Sequence, residues 1–330
     1  MTTTGHGRIV ISNSNQQGFI MLRKAILTLF IGTLAACSQT THETAPARLG
    51  KAVSSSTMEA LIDQPGPIEV QTVASADYVA DLSGLINLKD PKAEQAGLKD
   101  HEEPILIYTH LVRHPSQGLF MIDTGVSKQF LADPKSLGVG FVVRHFAKLD
   151  KMVVRTDALS ALQSGGTPLN GVFLTHLHLD HISGMPDIPK NVPFFTGPGE
   201  AAESKAENYF VQGMEDRFFE GRPAIQEFQF TKDADGKFDG VIDVFGDGSL
   251  FAILTPGHTA GHVSYLARTP TGPVLLTGDA CHTRWGWEHG VEPGSFTFDR
   301  ESEKRSLLAL KALSERHPKM LVRLGHQSLN

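Results

Sequence analysis

The densest chemistry in the chain lies in Thr175-His176-Leu177-His178-Leu179-Asp180-His181, which places three imidazoles and a carboxylate within six residues. Imidazole nitrogen and carboxylate oxygen are donors suited to zinc and related divalent ions. The run follows an apolar, strand-like stretch, Gly171 to Leu174. In extended backbone, residues two apart point the same way, so His176 and His178 can grip one ion together. Asp180 and His181 come where the chain turns, and can aim at a second ion beside the first.

Two ions need more ligands than these four residues supply, and the remaining candidates sit at the ends of other apolar runs. Thr255-Pro256-Gly257-His258 follows Leu250 to Leu254, and Leu275-Leu276-Thr277-Gly278-Asp279 delivers a carboxylate at the tip of a third run. Met320-Leu321-Val322-Arg323-Leu324-Gly325-His326 does the same near the C-terminus. A glycine precedes His258, Asp279 and His326, where the backbone must turn tightly against a metal site. Four strand ends presenting such residues describe a binuclear centre.

With these motifs the sequence resembles the metallo-β-lactamase-fold hydrolases, and most closely their N-acyl-homoserine-lactone lactonase branch, over roughly Ile105 to His326. Met121-Ile122-Asp123-Thr124-Gly125 is similar to the family's early I-D-T-G turn. The resemblance implies an α/β fold, an αβ/βα four-layer sandwich of two mixed β-sheets flanked by helices, with the site at one edge. It implies that His176, His178 and His258 hold the first metal, that Asp180, His181 and His326 hold the second, and that Asp279 bridges both. Every ligand position of that pattern is filled. Zinc is the default ion, and iron, manganese or cobalt fits the same donors.

The chemistry this implies is hydrolysis of an acyl compound, since a water shared by two divalent ions becomes a hydroxide nucleophile near neutral pH. A lactone suits such a site because its leaving alkoxide stays tethered beside the second metal, and quorum-signal N-acyl homoserine lactones are the first expectation. Asp180 is a candidate to pass a proton to that alkoxide. Lactonase relatives use a tyrosine phenol on the oxyanion, and Tyr209 is the residue offered here. His282, Trp285 and Trp287, directly after Asp279, are expected to line the substrate pocket. His262 is expected to support its loop rather than bind metal, and Cys281 to be a small buried residue behind the site. Asp123, Thr175 and Thr255 are candidates to hold the free nitrogens of ligand histidines. A β-lactamase is the first alternative, with Asp279 counting against it. A thioester hydrolase of the glyoxalase II type, a phosphodiesterase or sulfatase, and a non-enzymatic binding module complete the set.

The elements needed to position these residues are legible as apolar strand-like runs at Pro104–Leu111, Leu119–Ile122, Gly171–Leu174, Phe251–Leu254, His262–Leu266 and Pro273–Leu276. Helices are expected at Asp157–Gln163, at Glu200–Tyr209, and where Leu307, Leu308, Leu310 and Leu313 form an apolar stripe capped by Asp299 or Ser302. Thr231–Gly248 reads as hairpin turns, with Asp233, Asp235 and Gly236 similar to part of a calcium loop that lacks its closing glutamate. A net charge of −6 without a basic cluster gives no support for nucleic-acid binding.

The N-terminus carries an address. Arg23-Lys24 precedes an apolar stretch, Ala25 to Ala36, too short to span a bilayer but suited to a signal-peptide core. Its ending, Leu34-Ala35-Ala36-Cys37, resembles a bacterial lipobox, with Ser38 implying outer-membrane sorting. The expected organisation is a signal peptide over 1–36 with a start at Met1 or Met21, then a lipidated Cys37 and flexible tether to residue 62, then a catalytic domain over 63–330. The expected location is therefore the periplasm, on a lipid anchor.

Overall fold

In the computed structural model the described residues are 37–166 and 168–329. The expected signal segment, with both candidate start sites, lies outside them. Among the described residues, one sheet runs edge to edge through Thr44–Pro46, Ile225–Glu227, Phe194–Thr196, Leu169–Phe173, Gly118–Ile122, Glu102–His114, Glu69–Asp81 and Val153–Val154. A second runs through Leu321–Arg323, Gly272–Leu276, Val263–Thr269, Leu250–Leu254, Gly240–Asp243 and Lys51–Val53. Both mix parallel and antiparallel pairs.

The strands around the sheet centres read as unbroken apolar runs because both of their faces are buried. Ile122, Phe173, Phe195, Ala252, Val263 and Tyr265 fill the space between the sheets. On the far side of the first sheet, Met121, Val172 and Leu174 pack beneath Phe130, Met214 and Phe218. On the far side of the second, Ile253, Leu266 and Leu275 meet Leu307, Leu310 and Leu313 of the helix Arg300–Arg316. Asp299 caps that helix through the backbone N–H groups of Glu301 and Ser302. The result is the expected four-layer sandwich. All six strand-like runs lie in or overlap strands, and the helix expected from Asp157 runs Ala158–Gly165 with Asp157 as its cap.

Two expectations need correction. Residues 37–62 are not a tether but are built into the same fold as the residues after 63. Cys37–Ser38 pairs with Ser204–Lys205, Thr44–Pro46 closes one edge of the first sheet, and Lys51–Val53 closes one edge of the second. Polar residues that read as a solvated linker are used as hydrogen-bonding groups. Gln39 donates to Glu215 Oε1 at 2.5 Å, and Thr40 and Thr41 donate to Asp216.

The segment Glu200–Tyr209 is not a helix either. Its Glu200 side chain is turned inward, Ser204–Lys205 is extended, and Asn208 donates to the carbonyls of Cys37 and Glu203. The helix starts at Asn208 and runs to Phe219. The calcium-like acids have another use, because Asp233 and Asp235 accept the backbone N–H groups of Ser55 and Ser56 and so cap the helix Ser55–Ile62. Turns do flank that segment, with the strand Gly240–Asp243 between them.

Candidate metal centre

Strand ends and the loops after them converge at one edge of the sandwich. His176 and His178 follow the strand Leu169–Phe173, and Asp180 and His181 lie in the short helix Leu179–Ile182. His258 follows the strand Leu250–Leu254, Asp279 follows Gly272–Leu276, and His326 follows Leu321–Arg323. Gly325 is required by close approach, since a Cβ there would stand 2.3 Å from Asp279 Oδ1.

The seven residues form two clusters. His258 Nε2 lies 3.1 Å from His176 Nε2 and 2.8 Å from His178 Nδ1. His326 Nε2 lies 3.2 Å from Asp180 Oδ2 and 3.3 Å from Asp279 Oδ2, and His181 Nε2 lies 3.3 Å from Asp279 Oδ2. Asp279 Oδ2 also stands 3.4 Å from His258 Nε2 and 3.7 Å from His176 Nε2, so one carboxylate faces both groups. Atoms held tetrahedrally around zinc at about 2.0 Å are about 3.3 Å from one another. These spacings match that figure.

Electrostatics supports the same fit. Burial, reinforced by neighbouring positive groups, holds His176 and His258 well below the usual histidine range and His178 at about 3. Those three imidazoles are neutral, and their ring nitrogens converge on one point at 2.8–3.1 Å. In the second cluster burial opposes charge, but Asp279 and Asp180 push His326 up to about 10, and Asp279 and Asp123 push His181 well above its usual range. Protons there balance the carboxylates as a cation would. His181 Nε2 and Asp279 Oδ1 are buried without a hydrogen-bond partner, the condition expected of groups awaiting an ion. His178 and Asp180 are half-buried, marking the side open to solvent.

The supporting groups fall partly where the sequence placed them. Asp123, held at φ +54°, accepts His181 Nδ1 at 2.8 Å and the Thr175 N–H and hydroxyl. Thr255 instead pairs with His262 Nδ1, while His262 Nε2 accepts the Asp279 N–H, so His262 shapes the loop under the bridging carboxylate. Cys281 is buried, and burial pushes its thiol far above the thiolate range.

Other placements differ. Tyr209 stands on the first turn of Asn208–Phe219, 61% exposed against Phe210, with no hydrogen bond to the ligand cluster. Trp287 is buried, in the core cluster that includes Leu310, rather than standing at the surface of a cleft. Trp285 does face open space, a cleft of about 600 Å³ shared with Ile105, Leu106, Arg284 and His326. His282 is deeper than a pocket wall. Its Nε2 is 3.1 Å from Asp279 Oδ2 and its ring stacks on that of His326.

Sequence reasoning missed Glu200, for which no local motif gives a signal. Its buried carboxylate accepts the Leu177 N–H at 2.8 Å, between His176 and His178. It also accepts the Thr259 hydroxyl at 2.7 Å and the Gly261 N–H at 3.1 Å, directly after His258. One side chain thus sets the distance between the two loops that carry the first cluster. Glu200→Ala is expected to weaken metal binding by about 10- to 100-fold, the usual cost of losing such support. Glu200→Gln should fall between, because its amide nitrogen would face the Gly261 N–H. Metal content against graded chelator measures both.

The helix Arg300–Arg316 braces the His258 loop from the other side. Ser306 donates to the Pro256 carbonyl, the Asp299 N–H donates to the Gly257 carbonyl, and the buried Glu303 carboxyl faces the His258 N–H. Gly257, at φ +144°, leaves no room for a side chain against Glu303.

The profile described as Metallo-beta-lactamase superfamily matches residues 104–326. An N-acyl homoserine lactonase, AttM of Agrobacterium fabrum, is 32% identical over 236 residues, covering 71% of this chain and 86% of the relative. A crystal structure of a quorum-quenching N-acyl homoserine lactone lactonase superposes with a TM-score of 0.54 at 19% identity, covering 80% of this chain and 94% of the other. AidC, a dizinc quorum-quenching lactonase in complex with a product, gives 0.52 at 17% identity, covering 85% and 92%.

Proposed function

The chain belongs to the metallo-β-lactamase superfamily, in its lactonase branch, and from that premise we propose that it opens the ring of N-acyl homoserine lactones with the aid of two zinc ions. The observation that carries this reading is Asp279, whose one carboxylate oxygen lies between a three-imidazole cluster and a mixed imidazole–carboxylate cluster. AttM and AidC, named respectively as a homoserine lactonase and a dizinc lactonase, support the substrate and the metal. His176, His178 and His258 would hold one ion, and Asp180, His181 and His326 the other. Ions bound there would supply Lewis-acid activation of water and of an acyl oxygen.

The chain's own residues do the rest. Glu200, Asp123 and the start of Arg300–Arg316 fix the ligands before substrate arrives, so little reorganisation is left for the reaction. In this reading His282 replaces Tyr209 as the side-chain donor to substrate oxygen, because it alone of the two lies against Asp279. In this reading Asp180, half-buried at the open side, carries a proton to the departing alkoxide. The cleft beside Trp285 gives the lactone's acyl arm an apolar wall. Cys37 as a lipid attachment point, with a periplasmic and outer-membrane location, belongs to the same proposal and rests on the lipobox-like Leu34-Ala35-Ala36-Cys37.

The test is hydrolysis of short- to long-chain N-acyl homoserine lactones, with a cephalosporin alongside, before and after chelation and zinc restoration. Chelator-sensitive opening of the lactones with the cephalosporin untouched is the expected result. A protein carrying two metals yet inert on every lactone would end the substrate assignment.

A further inference from the structure

We propose that residues 37–41 brace the three-imidazole cluster, with Gln39 as the positioning residue that pins the backbone between His176 and His178 from the side opposite Glu200. The proposal rests on the reading that His176, His178 and His258 hold an ion. It adds to that site a stretch of chain that lies ahead of the matched residues 104–326.

The brace is laid along one stripe of the helix Asn208–Phe219. Asn208, Gln212, Glu215 and Asp216 recur at helical spacing and so share a face. Each meets the brace in chain order. Asn208 Nδ2 donates to the Cys37 carbonyl at 3.1 Å, and Gln212 Nε2 donates to the Ser38 carbonyl at 2.8 Å. Glu215 Oε1 accepts from Gln39 Nε2 at 2.5 Å. Asp216 then accepts the Thr40 hydroxyl and the Thr41 N–H, each at 2.6 Å. The same residues are also sewn to the segment 201–205. Cys37–Ser38 pairs with Ser204–Lys205, and the Thr40 N–H donates to the Ala201 carbonyl at 3.1 Å.

That segment and the residue before it carry the supports of the metal loops. Glu200 takes the Leu177, Thr259 and Gly261 donors. Glu203 Oε1 accepts the Ala260 N–H at 2.8 Å, while its Oε2 pairs with Lys205 at 2.7 Å. Gln39 reaches the first loop directly, buried together with Glu215. Its amide nitrogen carries two N–H donors. Glu215 takes one, and the other points to the Leu177 carbonyl at 3.5 Å. The N–H and C=O of Leu177 belong to the two rigid peptide planes that join His176 to His178. Glu200 holds the first plane and Gln39 the second, and turning either plane would swing an imidazole away from its partners. The Leu177 bond is the longer of the two that Gln39 makes, so its direction depends on Glu215. Burial pushes the Glu215 carboxyl well above the usual carboxylate range, so it meets the amide as a neutral acceptor.

The experiment is zinc competition against graded chelator, followed by cadmium-113 resonance of the cadmium-loaded protein, which reports each bound ion separately. Gln39→Met keeps the reach and bulk of the side chain without its donors. It is expected to weaken binding at the three-imidazole cluster by about tenfold, the low end for a lost support because backbone rather than imidazole is held. The resonance of that ion should shift as well. Glu215→Leu should act in the same way, by leaving Gln39 undirected. Glu215→Gln should stay within about twofold of the parent, since an amide oxygen replaces a neutral carboxyl oxygen as acceptor. A lower unfolding temperature with parental affinities and unshifted resonances would make the brace purely structural and overturn the proposal. Equal losses in Glu215→Gln and Glu215→Leu would overturn it too, because the accepted hydrogen bond would then not be what matters. An ion held normally by Gln39→Met sinks the brace alone. A parent that binds no ion at the three-imidazole cluster sinks the metal reading, and the brace's role with it.

Discussion

Asp279→Asn is expected to lower kcat/KM for lactone opening by about a thousandfold, roughly 4 kcal/mol of barrier, with less than two metals retained per chain. Asparagine keeps the shape of the side chain, so the loss isolates the charge. The native carboxylate oxygen Oδ2 lies within 3.1–3.7 Å of imidazole nitrogens on His176, His181, His258, His282 and His326. Burial alone would raise the Asp279 pKa, yet the His326 and His181 imidazolium groups hold it well below the carboxylate range. An amide offers one neutral oxygen to the same crowd and points two N–H donors at groups that are themselves short of acceptors. Steady-state kinetics and elemental analysis on the purified variant read both effects. Two ions retained at a near-native rate would show that the shared carboxylate is dispensable, and the binuclear argument would lose its centre.

His282→Ala should reduce kcat by about a hundredfold or more, within the range for a lost proton or hydrogen-bond donor, while two metals stay bound. The imidazole is fully enclosed between His326, His258 and Asp279, and its Nδ1 is 3.3 Å from the Leu85 carbonyl. Nε2 stands 3.1 Å from Asp279 Oδ2 at the edge of the metal centre, where its N–H would donate to a substrate oxygen. A change confined to KM would reduce His282 to a binding contact. A drop in metal content would instead make it a ligand, a role its position beside His258 and Asp279 also permits.

The contrast between His282 and Glu200 shows which parts of this molecule the sequence could disclose. Ligands at strand tips were legible because each came with its own local signature, an apolar run followed by a tight turn and a donor. The sheets were legible for the same reason, their inner strands being apolar on both faces. Glu200 carries no such mark. Its importance comes from three backbone and hydroxyl donors on segments some 20 and 60 residues away, and no window of sequence contains them. The misreading of Glu200–Tyr209 as a helix has the same origin, since propensity favoured the helix while long-range bonds to Leu177, Thr259 and Cys37 pulled the segment straight. Ser38 to Ile62 misled in the opposite direction. Its Ser, Thr and Ala content is that of a linker, but Gln39, Thr40 and Ser55 all meet carboxylates from the second half of the chain.

The strands Thr44–Pro46 and Lys51–Val53 each close a sheet edge by pairing with a strand made much later, roughly 180 and 190 residues downstream. Contacts of that range form slowly, because the loop they close must be ordered before they reward it. A ribosome-bound chain therefore cannot seal its first strands until Ile225–Glu227 and Gly240–Asp243 have emerged, and until then these edges present raw backbone. Such edges recruit other strands. Shortening the chain past Val53 would leave every ligand in place, yet the expected product is an aggregate rather than a weakened enzyme.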